Sequence, residues 1–285
     1  SGREAAAGAR SGRPFETGRE AATGPSSATG SCKAGGGAAA ARVLMAPPRL
    51  SVVIPAYNEA LRLGSACAAV AAFCRRSRRP FEIVIVNDGS RDATREAAAL
   101  VAGRWREVRV ISYPVNRGKG YAVRRGVLAA RGRRILFLDA DLSTRPEEWP
   151  KLERRLAAGA DLAIGSRKMA GARLVRRQPW WRERMGKVFT WLVRRFLVDV
   201  SDATCGFKGF TREAARALFA RSRLDDWSYD AEILYIAQRR GLRIDEVPVV
   251  WKDNPNSKVH VAGAALNALR GLVRIRLNDL LGRYA

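Results

Sequence analysis

The sequence predicts an α/β protein with a mostly parallel sheet that is flanked by helices. From residue 50 onward, short apolar segments alternate with segments that carry apolar residues at helical spacing, and this alternation implies βαβ units. The short segments are apolar throughout, as expected when helices cover both faces of a parallel sheet. Several of them are followed directly by polar residues, which is typical of a ligand site at the carboxyl edge of such a sheet.

Each predicted strand is a short apolar segment that ends at a turn or a polar residue. In chain order the predicted strands are Leu50–Pro55, Phe81–Val86, Val108–Ser112, Arg134–Asp139, Asp161–Ile164, Phe207–Phe210 and Arg243–Trp251. The predicted helices are Ala60–Cys74, a helix capped by Ser90 that ends near Ala102, Lys119–Ala130, a helix beginning near Pro146, Arg182–Leu197, Arg212–Arg221, Ser228–Arg240 and Ala262–Leu281. Ser90 is a suitable cap because its hydroxyl can accept a free N–H at the start of a helix.

The chain is predicted to have three parts. Gly and Ala make up 22 of residues 1–48 and the only aromatic residue there is Phe15, so this segment cannot bury enough surface to offset its ordering entropy. We therefore expect a disordered, low-complexity leader at 1–48. The α/β domain is predicted at 49–260, and an amphipathic C-terminal helix that lies at a membrane interface is predicted at 261–285.

The composition excludes several classes of protein. The chain has 285 residues and a net charge of +25, with a single histidine, His260, so a His-rich metal site is excluded. Its four cysteines lack the paired spacing of a zinc site, and Cys67 and Cys74 are predicted to be buried in a helix. The longest apolar run, Leu63–Cys74, has 12 residues, whereas a spanning helix needs about 18–20. No transmembrane helix is therefore expected.

Four polar clusters follow successive predicted strands: Pro55–Glu59, Asn87–Ser90, Asn116–Gly120 and Asp139–Asp141. The carboxyl ends of parallel strands meet at one edge of the sheet, so the clusters are expected to converge there. Asp139 and Asp141 are two residues apart and point the same way in an extended chain. Such a pair suits a hard divalent cation, Mg²⁺ or Mn²⁺, that bridges substrate phosphates. The alternative is a solvated turn.

Two further residues in these clusters point to a nucleotide. Asp88 can accept the imino proton of a uracil-type base, although a capping role is the alternative. Lys119 lies in a Gly-Lys-Gly turn that opens a helix, where free backbone N–H groups favour anions. The turn is not a P-loop, because the spacing of that motif is missing.

Six segments of the chain carry a family resemblance: LSVVIPAYNE, VIVNDGSRDAT, NRGKGYAVRRGVLAARG, LFLDADLST, IGSRK and DATCGFKGFTR. They occur in the order and spacing of family 2 glycosyltransferases with the Rossmann-like GT-A fold. More narrowly, the chain looks like the dolichyl-phosphate glucosyltransferases and their prokaryotic polyprenyl-phosphate relatives. The resemblance covers about residues 50 to 280.

The resemblance implies roles for particular residues. The residues implied to bind the nucleotide sugar are Pro55, Tyr57, Glu59, Asp88, Lys119 and Asp139. Asp139 and Asp141 are implied to hold Mg²⁺ or Mn²⁺ with the donor diphosphate, and the catalytic set is implied to be Asp141, Arg167 and Asp202. Arg167 and Arg184 are implied to bind the acceptor phosphate.

Two departures from the mannosyl-type members of the family bear on these roles. Ser143 stands where those enzymes commonly carry a Gln, which is closer to the glucosyl pattern. Val188 stands where their acceptor helix often has a Ser, four residues after Arg184, so the acceptor contacts depart from that pattern.

The charge distribution fits an acceptor at a membrane. Residues 166–200 contain ten Lys or Arg and only two acidic residues, interleaved with aromatic residues. This pattern favours an anionic membrane interface, with packed helices and solvated arginines as the alternative. A phosphate monoester, with a second pKa near ~6, needs no general base at neutral pH. Asp202, Asp230 and Glu232 then orient sugar hydroxyls or cap and pair; with a hydroxyl acceptor one of them is the base.

The sequence therefore predicts an inverting, metal-dependent hexosyltransferase. The expected reaction moves glucose from UDP-glucose onto a polyprenyl or dolichyl phosphate, catalysed by a peripheral protein at the cytoplasmic face of a membrane. Alternatives are a GDP-mannose donor or a saccharide or protein hydroxyl acceptor. Nucleic-acid binding is not expected, because no nucleic-acid module is recognisable and the basic residues lie beside Trp and Leu. An inactive membrane scaffold is disfavoured by the intact Asp139 and Asp141.

Overall fold

The computed structural model describes residues 47–176, 180–253 and 261–285. Residues 1–46 of the predicted leader and His260 lie outside the described residues. The strands are β1 Leu50–Ala56, β2 Phe81–Asp88, β3 Val108–Tyr113, β4 Arg134–Leu138, β5 Leu162–Ser166, β6 Arg173–Arg176, β7 Phe207–Thr211, β8 Ile244–Pro248 and β9 Val250–Lys252. The helices are α1 Ala60–Arg76, α2 Thr94–Arg104, α3 Lys119–Ala129, α4 Trp149–Ala157, α5 Trp180–Phe196, α6 Arg212–Phe219, α7 Tyr229–Arg239 and α8 Val261–Leu280.

Seven strands form one sheet in the order β3-β2-β1-β4-β7-β5-β8. β1 pairs in parallel with both β2 and β4, which places Val53 opposite Val84 and Phe137. Only β7 runs against its neighbours, since it pairs antiparallel with β4 and β5. The predicted α/β class and the mostly parallel sheet are confirmed. The carboxyl ends of β1, β2 and β4 consequently lie at one edge.

The apolar strands are explained by two cores, one on each face of the sheet. On β1, Val53 lies in one core, whereas Val52 and Ile54 lie in the other. Successive residues of a strand point to opposite faces, so a strand between two cores is apolar at every position. Cys67 and Cys74 are buried as predicted, and burial raises the pKa of each thiol to about 12.

The last predicted strand, Arg243–Trp251, is two strands in the structure. The strand is interrupted at Val249, which is buried and donates its N–H to the Ser166 carbonyl at 3.2 Å. β9 leaves the main sheet and pairs with β6 in a separate two-stranded sheet. β6 escapes sequence prediction because it is exposed and half arginine, with no apolar pattern.

The second helix begins later than predicted. α2 starts at Thr94, and Ser90 is not its cap. The Ser90 hydroxyl instead accepts the Asn58 N–H at 3.0 Å and so joins the loop after β1 to the loop after β2. The N–H of Thr94 is satisfied by the Asp92 carboxylate at 3.0 Å. Ser90 was expected to cap this helix, but its hydroxyl is used in the contact between the two loops instead.

α8 packs against α5 and α7. In the part of the chain that the structure describes, no helix combines the length and apolar character that crossing a bilayer requires.

The close packing of α3 on the sheet gives a stability prediction. A Cβ at Gly126 would lie 2.4 Å from Val53 Cγ1 and 2.9 Å from Val86 Cγ2. We expect Gly126→Ala to lower the free energy of unfolding by about 1–3 kcal/mol, because this core is overpacked by the added methyl group. The measurement is urea unfolding followed by circular dichroism.

Gly64 in α1 is the matched control, because a Cβ there meets no atom within 4 Å. Gly64→Ala should raise the free energy of unfolding by about 0.5–1 kcal/mol through helix propensity alone. Equal effects of the two substitutions would contradict the packing of α3 described above.

Candidate active site

A cavity of about 460 Å³ opens at the carboxyl ends of β1, β2 and β4. It is lined by all six residues predicted to bind the nucleotide sugar, Pro55, Tyr57, Glu59, Asp88, Lys119 and Asp139. Asp141 and Arg167 line it as well. The structure therefore brings together residues from strand ends that are far apart in sequence. Asp202 and Arg184 are not among the lining residues.

Asp88 organises the loop between β3 and α3. Its carboxylate accepts hydrogen bonds from Asn116 Nδ2 at 2.8 Å, from the Arg117 N–H at 2.8 Å and from the Gly118 N–H at 3.0 Å. Three donors on one buried carboxylate fix the loop that carries Lys119 into the cavity. Asp88 therefore does cap backbone N–H groups, which was the alternative to a contact with a base. Contact with a base stays a prediction.

Lys119 and Asp139 form an ion pair in the cavity. The Nζ atom lies 2.9 Å from Asp139 Oδ1, and the lysine side chain is 14% exposed. Burial by itself lowers the pKa of Lys119, but the carboxylates of Asp139, Asp230 and Asp141 outweigh it and raise the pKa. Lys119 is thus a permanent cation at the helix start where an anion is expected to bind.

Asp139 is also seated on Gly206. A Cβ at Gly206 would lie 1.8 Å from Asp139 Oδ2, so any other residue there would displace the carboxylate. The Asp139 N–H donates to the Gly206 carbonyl at 3.3 Å. The DATCGFK segment, which contains Gly206, therefore positions Asp139 at the end of β4.

Asp141 lies in a tight turn next to the cavity. Its Oδ1 atom accepts the Ser143 N–H at 2.9 Å, and Leu142 between them has a φ of 50°, which a branched side chain rarely adopts. The strained turn holds one carboxylate oxygen and turns the group toward the cavity. Hard oxygen donors that line a cavity fit Mg²⁺ or Mn²⁺.

Arg167 and Asp202 form a bidentate ion pair behind the cavity. Nε lies 2.7 Å from Oδ2 and Nη2 lies 2.8 Å from Oδ1, and Nη2 also donates to Thr204 Oγ1 at 2.8 Å. Burial raises the pKa of the Asp202 carboxyl, but the Arg167 guanidinium outweighs it and lowers the pKa to about 2. Within the described residues Arg167 Nη1 makes no hydrogen bond, so it remains available on the cavity side.

Arg184 lies away from the cavity. It is exposed on α5 and its guanidinium stacks 5.6 Å from the centre of the Trp180 ring. Its predicted contact with an acceptor phosphate stays a prediction.

The other two carboxylates considered as a general base are also occupied. Asp230 is buried and accepts from Lys208 Nζ at 2.6 Å. Glu232 accepts the Arg223 and Leu224 N–H groups at 2.9 and 3.0 Å. Tyr284 also donates its hydroxyl to Glu232 at 2.7 Å. Neither carboxylate lines the cavity.

Sequence reasoning missed five residues that line the cavity: Arg62, Ala122, Trp227, Trp251 and Asp253. Trp227 lies 4.4 Å from Lys119 Nζ, measured to its ring centre, and Trp251 lies 5.4 Å from the Arg167 guanidinium. Their position depends on the loop before α7 and on the small sheet of β6 and β9. Neither feature leaves a pattern that the sequence alone reveals, although Trp residues beside predicted site loops are a weak signal.

The fold and the cavity define a glycosyltransferase of the GT-A class. Glucosyl-3-phosphoglycerate synthase from Mycobacterium tuberculosis in complex with UDP has the same fold, with a TM-score of 0.60 and 22% identity over 80% of each chain. The same enzyme in complex with Mn²⁺, UDP-glucose and phosphoglyceric acid gives a TM-score of 0.63 at 21% identity, covering 80% of this chain and 79% of that one.

The chain belongs to glycosyl transferase family 2, whose family model matches residues 51–219. A dolichyl-phosphate beta-glucosyltransferase of Trichomonas vaginalis is 38% identical over 237 residues, which is 79% of this chain and 70% of the relative. The enzyme of the same name from Drosophila melanogaster is 37% identical over 82% of this chain and 76% of its own. The human one is 35% identical over 83% of this chain and 77% of its own. The family resemblance is confirmed.

The Arg167–Asp202 pair gives a pH-dependent prediction. The pKa of Asp202 is lowered from 3.8 to about 2 by folding, so its stabilisation is complete above pH 3.8 and disappears as the pH falls through 2. Asp202→Asn should therefore lower the free energy of unfolding at pH 7 by about 2 kcal/mol. The difference between variant and parent should shrink as the pH falls below 4, when measured by urea unfolding.

Asp245→Asn is a suitable control, because Asp245 pairs with the exposed Arg243 at 3.1 Å. Such a pair contributes about 0–1 kcal/mol. A stability difference for Asp202→Asn that stays constant down to the acid limit would contradict the assigned cause.

Proposed function

We propose that the protein is an inverting, metal-dependent glucosyltransferase that moves glucose from UDP-glucose onto dolichyl or polyprenyl phosphate. The names of its relatives, dolichyl-phosphate beta-glucosyltransferases, support the acceptor and the sugar. The UDP-glucose bound by a structural neighbour supports the donor. The observation that carries the proposal is that Asp202, Asp230 and Glu232 are each committed to a cation or to three donors.

A phosphate acceptor agrees with this arrangement because it needs no proton removed. Its second pKa is near ~6, so it is largely a dianion at neutral pH and can attack the anomeric carbon directly. A hydroxyl acceptor would need a general base within hydrogen-bond reach. Asp202 is a poor base, since its pKa is about 2 and Arg167 occupies both of its oxygens.

The chain's own cations have distinct places in this reaction. Lys119 lies at the N-terminus of α3 and would bind the donor diphosphate. Arg167 Nη1, which makes no hydrogen bond to any described residue, would hold the acceptor phosphate in line with the anomeric carbon, without taking a proton. Attack from the side opposite the leaving diphosphate inverts the anomeric centre. Asp141, with Asp139 beside it, would hold Mg²⁺ or Mn²⁺, which neutralises charge on the departing diphosphate.

A donor screen tests the proposal. The purified protein is incubated with dolichyl phosphate, Mg²⁺ or Mn²⁺ and either UDP-glucose or GDP-mannose, with and without chelator. We expect an inverted glucolipid from UDP-glucose that disappears with chelator, and Asp141→Asn should reduce the rate by roughly a hundredfold or more. Asp245→Asn, which changes a carboxylate outside the cavity, should keep the parental rate.

Two results would contradict the proposed reaction. Product formed from GDP-mannose but not from UDP-glucose would show that the donor is GDP-mannose. Transfer to a saccharide hydroxyl, with none to the lipid phosphate, would replace the acceptor and require a base.

We also propose that α5 and α8 place the enzyme on the anionic surface of a membrane, at its cytoplasmic face. On α5, exposed apolar and basic side chains share one face at intervals of three or four residues: Trp180, Arg184, Val188, Trp191 and Arg195. Apolar side chains next to cations fit the boundary between lipid headgroups and acyl chains.

α8, which packs against α5, carries a second exposed apolar face. Leu272 and Ile275 are buried against the domain, so one face of this helix does pack as an ordinary helix. The other face exposes four large apolar residues at helical spacing, Leu269, Val273, Leu277 and Leu280. Arg270, Arg274 and Arg276 are exposed among them. α8 therefore has one apolar face that packs on the domain and a second that is exposed, and the exposed apolar face supports docking on a membrane surface.

Vesicle flotation tests the docking surface. Trp191 and Leu277 are 61% and 51% exposed, and burying each in lipid contributes about 1.5–3 kcal/mol. The double variant Trp191→Glu/Leu277→Glu should therefore bind vesicles of phosphatidylcholine and phosphatidylserine at least tenfold more weakly. Leu61→Glu is the control, because Leu61 is 99% exposed on α1, which belongs to neither proposed docking helix. Equal losses in both variants would rule out this surface.

A further inference from the structure

Trp227 is a large apolar side chain that stays exposed inside the cavity. It belongs to the loop between α6 and α7, lines the cavity and is 59% exposed. The Lys119 ammonium lies over its ring, 4.4 Å from the ring centre. An exposed apolar ring in a cavity is informative, because contact with water forgoes the stability that burial would give. The ring is therefore a candidate contact for a ligand.

The loop that carries Trp227 is seated on the N-terminus of α3. A Cβ at Gly118 would lie 2.4 Å from the Asp225 carbonyl oxygen, so only a glycine permits this close approach. Arg124 on α3 holds the same loop, since its Nη2 atom donates to Asp225 Oδ1 at 2.7 Å. The loop and the helix that begins at Lys119 are thus fixed to each other.

Two further helices hold the loop. Glu232 on α7 accepts the Leu224 N–H at 3.0 Å, and Arg274 on α8 donates to Asp226 Oδ2 at 3.0 Å. Trp227 is the next residue after Asp226. Because three helices fix its backbone, the ring is in place before any ligand arrives, and binding to it costs little ordering entropy.

The ring lies where the sugar of a nucleotide-sugar donor is expected. Lys119 is the proposed partner of the donor diphosphate, and the hexose is bonded directly to the terminal phosphate of that group. A hexose has hydroxyl groups at its edge and C–H groups on its faces. Carboxylates such as that of Asp139 suit the hydroxyl groups, whereas the C–H faces need an apolar surface. A tryptophan ring supplies such a surface.

The other aromatic rings near the described part of the cavity have different neighbours. Phe137 lies 5.4 Å from Lys119 Nζ but is fully buried. Trp251 is 8% exposed and lies beside Arg167, the proposed cation for the acceptor. Trp227 therefore combines exposure with a position next to the cation proposed for the donor.

We propose that Trp227 binds the hexose of the donor by packing its ring against the C–H face of the sugar. This inference rests on the proposed function and assigns a residue to the recognition of the donor sugar. The contact adds affinity for UDP-glucose and none for UDP, which has no hexose. Once the hexose has been transferred, the contact no longer holds the nucleotide in the cavity.

The affinities of UDP-glucose and UDP test the inference without relying on turnover. Each is measured by isothermal titration calorimetry with Mn²⁺ and without acceptor. We expect Trp227→Leu to weaken UDP-glucose binding by roughly tenfold relative to UDP binding, because the contact with the ring is lost. Trp227→Phe retains an aromatic ring and should keep most of the preference for UDP-glucose.

Trp105→Leu is the matched control. Trp105 also has a cation near its ring, since the Arg75 guanidinium lies 5.4 Å from the ring centre, but it is not among the residues that line the cavity. The variant should keep the parental ratio of the two affinities.

The comparison with UDP separates a contact with the sugar from an effect on Lys119. Loss of the cation–π interaction alone would weaken both ligands equally, because both carry the diphosphate. Saturation-transfer NMR gives a second measurement, in which aromatic protons of the protein are irradiated. In Trp227→Leu, the saturation that reaches the glucose C–H protons should fall relative to that of the ribose protons.

The outcomes distinguish this inference from the proposed function. A parental ratio of the two affinities in Trp227→Leu, or equal weakening of both, overturns the contact with the sugar. Parental UDP-glucose binding with slower transfer to dolichyl phosphate assigns the ring to the lipid and also overturns it. A parent protein that binds neither UDP-glucose nor UDP contradicts the proposed function, and the inference with it.

Discussion

Three carboxylates near the edge of this sheet are each held by a side-chain cation, and these ion pairs shape the site. Asp139 is paired with Lys119, Asp202 with Arg167, and Asp230 with Lys208. Each pair joins two different elements of the fold, so the charges also fix the loops to one another. Removing one member of such a pair leaves an uncompensated charge and destabilises the folded protein. The pairs are therefore structural as well as chemical.

The same pairing decides what kind of chemistry the cavity supports. A carboxylate that is locked to a guanidinium has a low pKa and takes up a proton poorly, as Asp202 shows. Fixed cations, by contrast, bind anions without any change in protonation. Lys119 and Arg167 both line the cavity, so the site suits two anionic groups better than an anion and a hydroxyl. A diphosphate donor and a phosphate acceptor are such a combination.

The sequence was sufficient for the sheet and for most of the cavity because both depend on local patterns. Apolar strands between two helical layers are visible in the sequence, and polar residues at their ends converge by topology alone. Pairings across long separations were not visible. Arg167 and Asp202 are 35 residues apart, and nothing in either segment shows that one neutralises the other. Asp253 was missed for the same reason, since its segment is placed by contacts with Ser143, Thr144 and β6, which are far from it in sequence.

A lipid phosphate can enter the site only if the cation that binds it lies close to the membrane surface. Arg167 is followed by Lys168, whose Nζ atom donates to the Thr190 hydroxyl and to the Gly186 carbonyl on α5. The arginine that lines the cavity is thus attached, through the next residue, to the helix whose outer face carries Trp191 and Val188. A soluble acceptor needs no such attachment. Because a lipid headgroup stays within a short distance of its bilayer, an enzyme for that acceptor must hold its phosphate site and its docking surface in one rigid arrangement.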